Sequence, residues 1–314
     1  MKIYKYPTAI PQVHDSDVNY YNVIPFSEKG LQDHCELVSN PEDADYYYMG
    51  QWSHDYKLFN IDNFKYFSLY PEKHIIDLEG DGGFDIPSFL WNSIVTVNGP
   101  LGKYNSKIKN LFVRPTFSTL FVDMCRNREE EVQECVSKSL GFKGFINCQT
   151  RYDMFRHLEN VNKEVIDVEL ENNPVWNGPS EVGSEIQESY TEILKKHAFA
   201  LCPRGSGTDS VRLLEACFYG RIPILISDED YLLVDHKHAD TSFVRRIIWD
   251  GKTSLSKELL KVINVSDLTI KQDQKKAKMF FETVLKVYME DPTKYMLEWM
   301  VKQKLITNDA LHTS

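Results

Sequence analysis

Short apolar stretches alternate with polar, helix-like stretches along most of the chain. Residues 1–6, 46–50, 74–78 and 93–98 are rich in Tyr, Ile or Val, and each stretch ends within two residues of a glycine or proline. This pattern predicts short strands. The aromatic stretch FKYFSLY (residues 64–70) is predicted as one more strand. Strands that alternate with helices are typical of α/β proteins.

A second α/β region is predicted from about residue 126. It opens with a charged stretch, NREEEVQECVSKSL, which predicts a helix. Strand and helix patterns follow, and the chain ends in apolar residues at helical spacing that are interrupted at Pro292. In order, the predicted elements are the strand FKGFIN, the helix RYDMFRHLENV, the helix and strand of ESYTEILKKHAFALCP, and the strand RIPILISD.

The length of 314 residues, of which 42% are hydrophobic, favours two domains over one. Together with the change of pattern near residue 126, this predicts a first domain over residues 1–125 and a second over residues 126–275. The remaining residues, 276–314, are predicted to form a C-terminal helical segment.

Charge and cysteine content narrow the class of partner. A net charge of −10 and a pI of about 5.4 argue against nucleic acid or an anionic membrane as partner. No apolar stretch is long enough to span a bilayer. The six cysteines have no CxxC spacing, which favours reduced thiols and a cytoplasmic location. A truncated lumenal domain would have the same features.

The most informative stretch is FALCPRGSGTDSVRLLEACFYG, in which a predicted strand leads through a glycine-rich loop into a helix. The free amides at the start of a helix favour an anion. Gly205 and Gly207 allow the backbone to approach that anion closely. Arg204 adds a forked donor suited to phosphate, and Ser210 is placed to cap the helix or to bind phosphate.

Arg212 and Glu215 lie three residues apart and therefore on one face of the predicted helix. Arg212 is placed to bind the same anion, and a carboxylate at Glu215 is suited to accept hydrogen bonds from two ribose hydroxyls. These roles together describe a site for a nucleoside diphosphate. The alternative is an ordinary helix start with an Arg212–Glu215 ion pair at the surface.

Other kinds of binding or catalytic site fit the sequence less well. The chain has no GxxxxGK[ST] phosphate loop and no GxSxG nucleophile elbow. Asp228 and Asp230 follow a predicted strand and could bind a divalent ion in a metal-dependent transferase. Similar acidic pairs recur in this chain, which favours solvated turn residues. His236 and His238 have no third ligand at a spacing suited to zinc, so no metal site is predicted.

The stretch from residue 199 to residue 228 resembles the C-terminal signature of the exostosin-type glycosyltransferases. Its matching positions are Phe199, Leu201, Pro203, Gly205, Ser210, Arg212, Glu215, Ala216, Gly220, Ile222, Pro223 and Asp228. NPEDADYYYMG and KHIIDLEGDGG are weaker matches in the first half. Gly80 stands where the family has histidine, and YLLVDH replaces its Pro-Phe, so the identity of the acceptor does not carry over.

The resemblance implies a GT-B type fold with two facing Rossmann-like domains and a C-terminal helix that crosses back to the first. It implies an inverting, metal-independent glycosyltransferase that needs no cofactor. The donor would be a nucleotide sugar, with UDP-sugars expected in the family, and the acceptor would be a glycan. The donor-binding residues would be Arg204, Gly205, Ser210, Arg212 and Glu215, with Arg212 also stabilising the leaving diphosphate.

Two further roles follow from the resemblance. Asp81, in a glycine-flanked loop, is the first candidate for the catalytic base, with Glu79 and Asp77 as neighbouring alternatives. Its simpler interpretation is a turn-forming aspartate. Arg156 resembles a second phosphate-binding arginine of the family, and Arg151 lies close by in the sequence. A non-catalytic nucleotide- or sugar-binding protein with the same fold is the competing function.

Overall fold

The computed structural model describes residues 1–7, 26–52, 61–78, 86–98, 100–115, 117, 121–122, 125, 134–144, 146–170, 191–205, 210–235 and 237–308. The chain divides into two compact units, one formed by Met1–Arg114 with Lys286–Ser314 and the other by Pro115–Leu285. The unit boundaries therefore fall after residues 114 and 285, whereas the sequence pattern placed them after residues 125 and 275. The first unit is built from both ends of the chain.

Helices and strands alternate in both units. None of the described helices is long and apolar enough to cross a membrane. In chain order the elements are β1 (Lys2–Lys5), α1 (Glu28–His34), β2 (Glu36–Leu37), β3 (Tyr46–Trp52), β4 (His74–Leu78), β5 (Ile94–Asn98), β6 (Asn110–Arg114), β7 (Leu140–Gly144), α2 (Gln149–Leu158), β8 (Ile166–Leu170), β9 (Phe199–Pro203), α3 (Val211–Phe218), β10 (Ile222–Ser227), β11 (Arg245–Ile248), α4 (Leu255–Ile263), α5 (Asp267–Phe280), α6 (Lys286–Glu290) and α7 (Pro292–Lys302).

The first unit contains a six-stranded sheet in the order β2-β1-β3-β4-β5-β6. All its pairings are parallel. Strand β4 inside the sheet and strand β6 at its edge are both buried along their whole length, as expected for a parallel sheet covered on both faces. The C-terminal helices supply part of that cover, because Phe112 of β6 contacts the rings of Tyr288, Tyr295 and Trp299.

The second unit contains a five-stranded parallel sheet in the order β11-β10-β9-β7-β8. Strands β9 and β10 are buried throughout. A single apolar cluster joins this sheet to its helices, with residues such as Leu201, Ile224 and Trp249 packed against α2 and α4. Both the buried strands and the helix faces therefore follow from the apolar positions of the sequence.

Each sheet has the strand order of a doubly wound fold. Counted along its own chain segment, the second strand lies outside the first, and the third, fourth and fifth follow on the other side. The direction of winding reverses between β1 and β3 in the first unit and between β7 and β9 in the second. In such sheets ligands bind at the carboxyl ends of the strands, at this switch point.

Several sequence-based expectations about individual elements are wrong. Residues 64–70 form turns rather than a strand, with the Phe67 amide donating to the Phe64 carbonyl. Residues 134–139, the described part of the predicted charged helix, are not helical. Strands β6, β8 and β11 had no prediction, because they are four or five residues long and carry charged side chains. These lie at one end of β6 and β11 and at two inner positions of β8.

A buried histidine links the strands of the first unit. His74, at the start of β4, is fully buried; its Nδ1 lies 2.7 Å from the Tyr70 carbonyl oxygen and its Nε2 lies 3.0 Å from the Tyr6 hydroxyl. A neutral ring satisfies both bonds, donating from Nδ1 and accepting at Nε2. Burial lowers the pKa of His74 from 6.5 to about 4, although the bond to the Tyr70 carbonyl opposes the change.

We expect acid to destabilise the protein through His74. The folded-state pKa lies below the unfolded value, so its contribution is present above pH 6.5 and is lost as the pH falls towards 4. The full loss corresponds to about 3 kcal/mol of unfolding free energy. Urea unfolding of the parent and of His74→Gln between pH 7 and pH 4.5 measures it. Equal pH dependence in the two proteins would contradict this role for His74.

Candidate functional site

The glycine-rich loop lies at the switch point of the second sheet. Arg204 and Gly205 follow β9 directly, and Asn147 and Cys148 lie between β7 and the start of α2. These two strands are neighbours in the sheet although β8 separates them along the chain. The two loops therefore meet at the edge where ligands of doubly wound sheets bind.

Hydrogen bonds hold the two loops together. Arg151, in the first turn of α2, donates from Nε to the Arg204 carbonyl at 3.0 Å and from Nη2 to the Pro203 carbonyl at 3.4 Å. The Cys148 thiol donates to the same Arg204 carbonyl, and the Arg204 amide donates to Ile226 of β10 at 2.9 Å. The backbone of Arg204 is thus fixed by groups from two neighbouring segments.

The side chain of Arg204 is paired with a carboxylate. Its Nη2 donates to Asp228 Oδ2 at 2.9 Å and its Nε forms an ion pair with Asp228 Oδ1. Asp228, which follows β10, is about half exposed. An anionic ligand at this edge would therefore meet a guanidinium that is already oriented by a solvent-accessible partner.

The possible metal ligands are engaged elsewhere. Asp228 binds Arg204, and Asp230 accepts a hydrogen bond from Arg246 Nη1 at 2.6 Å. Across the described part of the chain, no group of three or more His, Cys, Asp or Glu side chains could hold a metal ion. His236 lies outside the described residues. The carboxylates considered for a metal-dependent transferase thus serve as partners of arginines.

Arg212 and Glu215 form a buried ion pair on α3. Arg212 Nη1 donates to Glu215 Oε2, and Arg212 Nη2 donates to the Lys143 carbonyl of β7 at 3.0 Å. About a tenth of each side chain is exposed. Burial raises the pKa of Glu215, while Arg212 and Arg151 oppose that rise. The pair is therefore not at the surface, and a ribose contact would fall to the other carboxylate oxygen of Glu215.

Within the described part of the chain, two buried side-chain oxygens at this edge have no hydrogen-bond partner. They are the Asn147 Oδ1 and the Oγ of Ser210, a residue only 6% exposed at the start of α3. Ser210 occupies the N-cap position, but its side chain makes no capping bond. A Cβ atom at position 205 would lie 3.1 Å from Asn147 Nδ2, so glycine leaves room for this amide. Unpaired buried groups are costly and call for a ligand or water.

The remaining predicted residues have separate locations. Arg156 is exposed in the last turn of α2 and lies over the Tyr152 ring at 5.9 Å, so Arg151 and not Arg156 joins the loop cluster. Asp81, Glu79 and Gly207 lie outside the described residues. Asp77 is fully buried in β4.

Sequence reasoning missed Asn147 and gave no role to Cys148. The available signal was the polar Asn147 at the end of the predicted strand FKGFIN, followed by Cys148 just before the predicted helix. Comparison of the chain with models of known protein families finds no match, and comparison with curated proteins finds none either.

We expect the Arg212–Glu215 pair to matter for folding. Glu215→Ala leaves a buried guanidinium without its carboxylate, which should lower the unfolding free energy by about 3–5 kcal/mol. Replacing both residues, Arg212→Met with Glu215→Leu, should recover much of that loss. Urea denaturation measures both effects.

The matched control is Glu258, which is paired with Lys261 at the same spacing on α4. The Lys261 side chain is 70% exposed and that of Glu258 is 43% exposed, so Glu258→Ala should cost less than about 1 kcal/mol. If Glu215→Ala costs no more than Glu258→Ala, the pair does not hold α3 against β7.

Proposed function

We propose that the protein is a glycosyltransferase of the GT-B type. It transfers a sugar from a nucleoside diphosphate sugar, a UDP-sugar by preference, to a hydroxyl of a glycan. The observation that carries the proposal is the grouping at one switch point of Arg204, the unpartnered Asn147 Oδ1 and the unpartnered Ser210 Oγ. The resemblance of residues 199–228 to exostosin-type enzymes supplies the reaction class.

The chemistry of the site supports a diphosphate. The α3 start presents backbone amides beside Ser210, and a diphosphate oxygen could accept from that hydroxyl. Arg204 adds positive charge, and Asp228 can exchange its place on the guanidinium for a phosphate because it is half exposed. The Asn147 Oδ1 is an acceptor, so it suits a ribose hydroxyl or a base N–H rather than a phosphate.

The proposed reaction is a single displacement with inversion. The acceptor oxygen attacks the anomeric carbon of the donor as the bond from that carbon to the diphosphate breaks, and the diphosphate leaves with the bonding electrons. Arg204 and the α3 start stabilise the charge that develops on the diphosphate. Asp81 is the proposed base that receives the proton of the acceptor hydroxyl. No bound metal is part of this proposal.

A non-catalytic nucleotide-binding protein is the second candidate. The orphaned polar atoms indicate a ligand and not a reaction, so they are compatible with either function. Release of UDP from a UDP-sugar in the presence of a glycan acceptor separates the two. Only the transferase produces UDP together with a glycosylated acceptor.

We expect UDP to bind the parent protein. The variants Asn147→Leu and Arg204→Ala should each bind UDP at least about tenfold more weakly, because each change removes a polar contact in a shielded site. Isothermal titration calorimetry measures the affinities. Arg156→Ala should bind UDP as the parent does, since Arg156 lies outside the cluster.

Excess chelator should leave UDP binding unchanged, because the proposed site uses arginines in place of a metal. Parental affinity in both Asn147→Leu and Arg204→Ala would place the nucleotide elsewhere. Loss of binding in Arg156→Ala alone would restore the arginine assignment made from the sequence.

A further inference from the structure

A second polar cluster occupies the carboxyl edge of the first sheet. Residues in register on neighbouring parallel strands point to the same face. Gln51 of β3 is in register with Asp77 of β4, which is in register with Thr96 of β5. Asn98 lies two residues beyond Thr96 and is in register with Arg114 of β6. These five polar side chains therefore share one face of the sheet near its carboxyl end.

The charged members of this cluster make hydrogen bonds within the sheet. Asp77 accepts a hydrogen bond from the Tyr48 hydroxyl at 2.8 Å and another from the Thr96 hydroxyl. Arg114 donates to the Leu78 carbonyl at 2.8 Å, and its charge opposes the rise in the pKa of Asp77 that burial causes. Both charged residues are buried. The opposite charges of the Asp77 carboxylate and the Arg114 guanidinium therefore offset each other.

The amide side chains are not satisfied. The Nε2 of Gln51 and the Oδ1 of Asn98 are buried atoms with no hydrogen-bond partner among the residues that the structure describes. One is a donor and the other an acceptor. They come from β3 and β5, which flank β4. The spacing between strands and the rise per residue place the two Cα atoms roughly 12 Å from each other. Spare donor and acceptor capacity thus remains at both sides of the end of β4.

We propose that this edge of the first sheet is a second ligand site, for a small neutral molecule that carries several hydroxyl groups. A hydroxyl group both donates and accepts, so two hydroxyls of one molecule satisfy Gln51 Nε2 and Asn98 Oδ1. The charges of Asp77 and Arg114 offset each other, so a charged ligand would be buried here without an opposite charge to balance its own. The carboxyl edge of a doubly wound sheet is where such ligands bind.

The site rests on the geometry of the first unit, and its role rests on the proposed function. If the protein is a glycosyltransferase, the ligand is the sugar acceptor, and Gln51 and Asn98 position its hydroxyl groups. Asp77 is then a positioning residue, because its carboxylate bonds Tyr48 and Thr96 within the sheet.

The test uses near-isosteric apolar substitutions, Gln51→Met and Asn98→Leu, in the full chain. An amide kept for a ligand is a cost to the fold, so its replacement by an apolar group of similar shape should leave the melting temperature unchanged or raise it. Binding is followed by saturation-transfer NMR with methyl α-glucoside, methyl α-mannoside, methyl β-galactoside and methyl β-xyloside, without nucleotide. The parent should give signals for at least one glycoside, and both variants should lose them.

Gln32→Met is the control, because Gln32 is exposed on α1 of the same unit; it should keep both the melting temperature and the glycoside signals. Three results would overturn the proposal: no glycoside signal from the parent, signals that persist in both variants, or a fall in melting temperature in both variants. Since the probes carry no nucleotide, failure here is distinguishable from failure of the donor site, which UDP titration reports.

Discussion

The contacts of Arg151 hold the candidate donor site together. Its guanidinium, in the first turn of α2, binds the carbonyls of Pro203 and Arg204 at the end of β9. It thereby joins two segments that are neighbours in space only because the winding of the sheet reverses between them. A lysine could not bind both carbonyls from one planar group. The positions of Arg204, Asn147 and the start of α3 all depend on this junction.

The polar groups at the carboxyl edges of both sheets fall into two energetic classes. The first class is paired and buried, as in Arg212 with Glu215 and in Asp77 with Tyr48 and Thr96. The second class consists of buried atoms that have no hydrogen-bond partner among the described residues, and it includes one side-chain atom each of Asn147, Ser210, Gln51 and Asn98. Pairing offsets the cost of burying the first class, whereas the second class keeps that cost. The second class is therefore the better indicator of where ligands bind.

Much of the architecture could be predicted from the sequence, because buried parallel strands such as β4 and β10 are mostly apolar and end near glycine or acidic turns. The donor loop could also be located. The choice between Arg151 and Arg156 could not, since both lie on α2. Five residues of helix place Arg156 roughly 7 Å further along the axis from the sheet edge. Only the start of α2, which the sequence pattern leaves uncertain, shows which arginine reaches β9.

The most direct test of a nucleoside diphosphate site at the second switch point is a map of backbone amide shifts by TROSY NMR during titration with UDP. The account predicts that the largest shifts occur at Gly144–Cys148, at Arg204 and Gly205, and at the first turn of α3. Strands β8 and β11, at the outer edges of the same sheet, should change little. Shifts confined to other parts of the chain, or no shifts at saturating UDP, would contradict it.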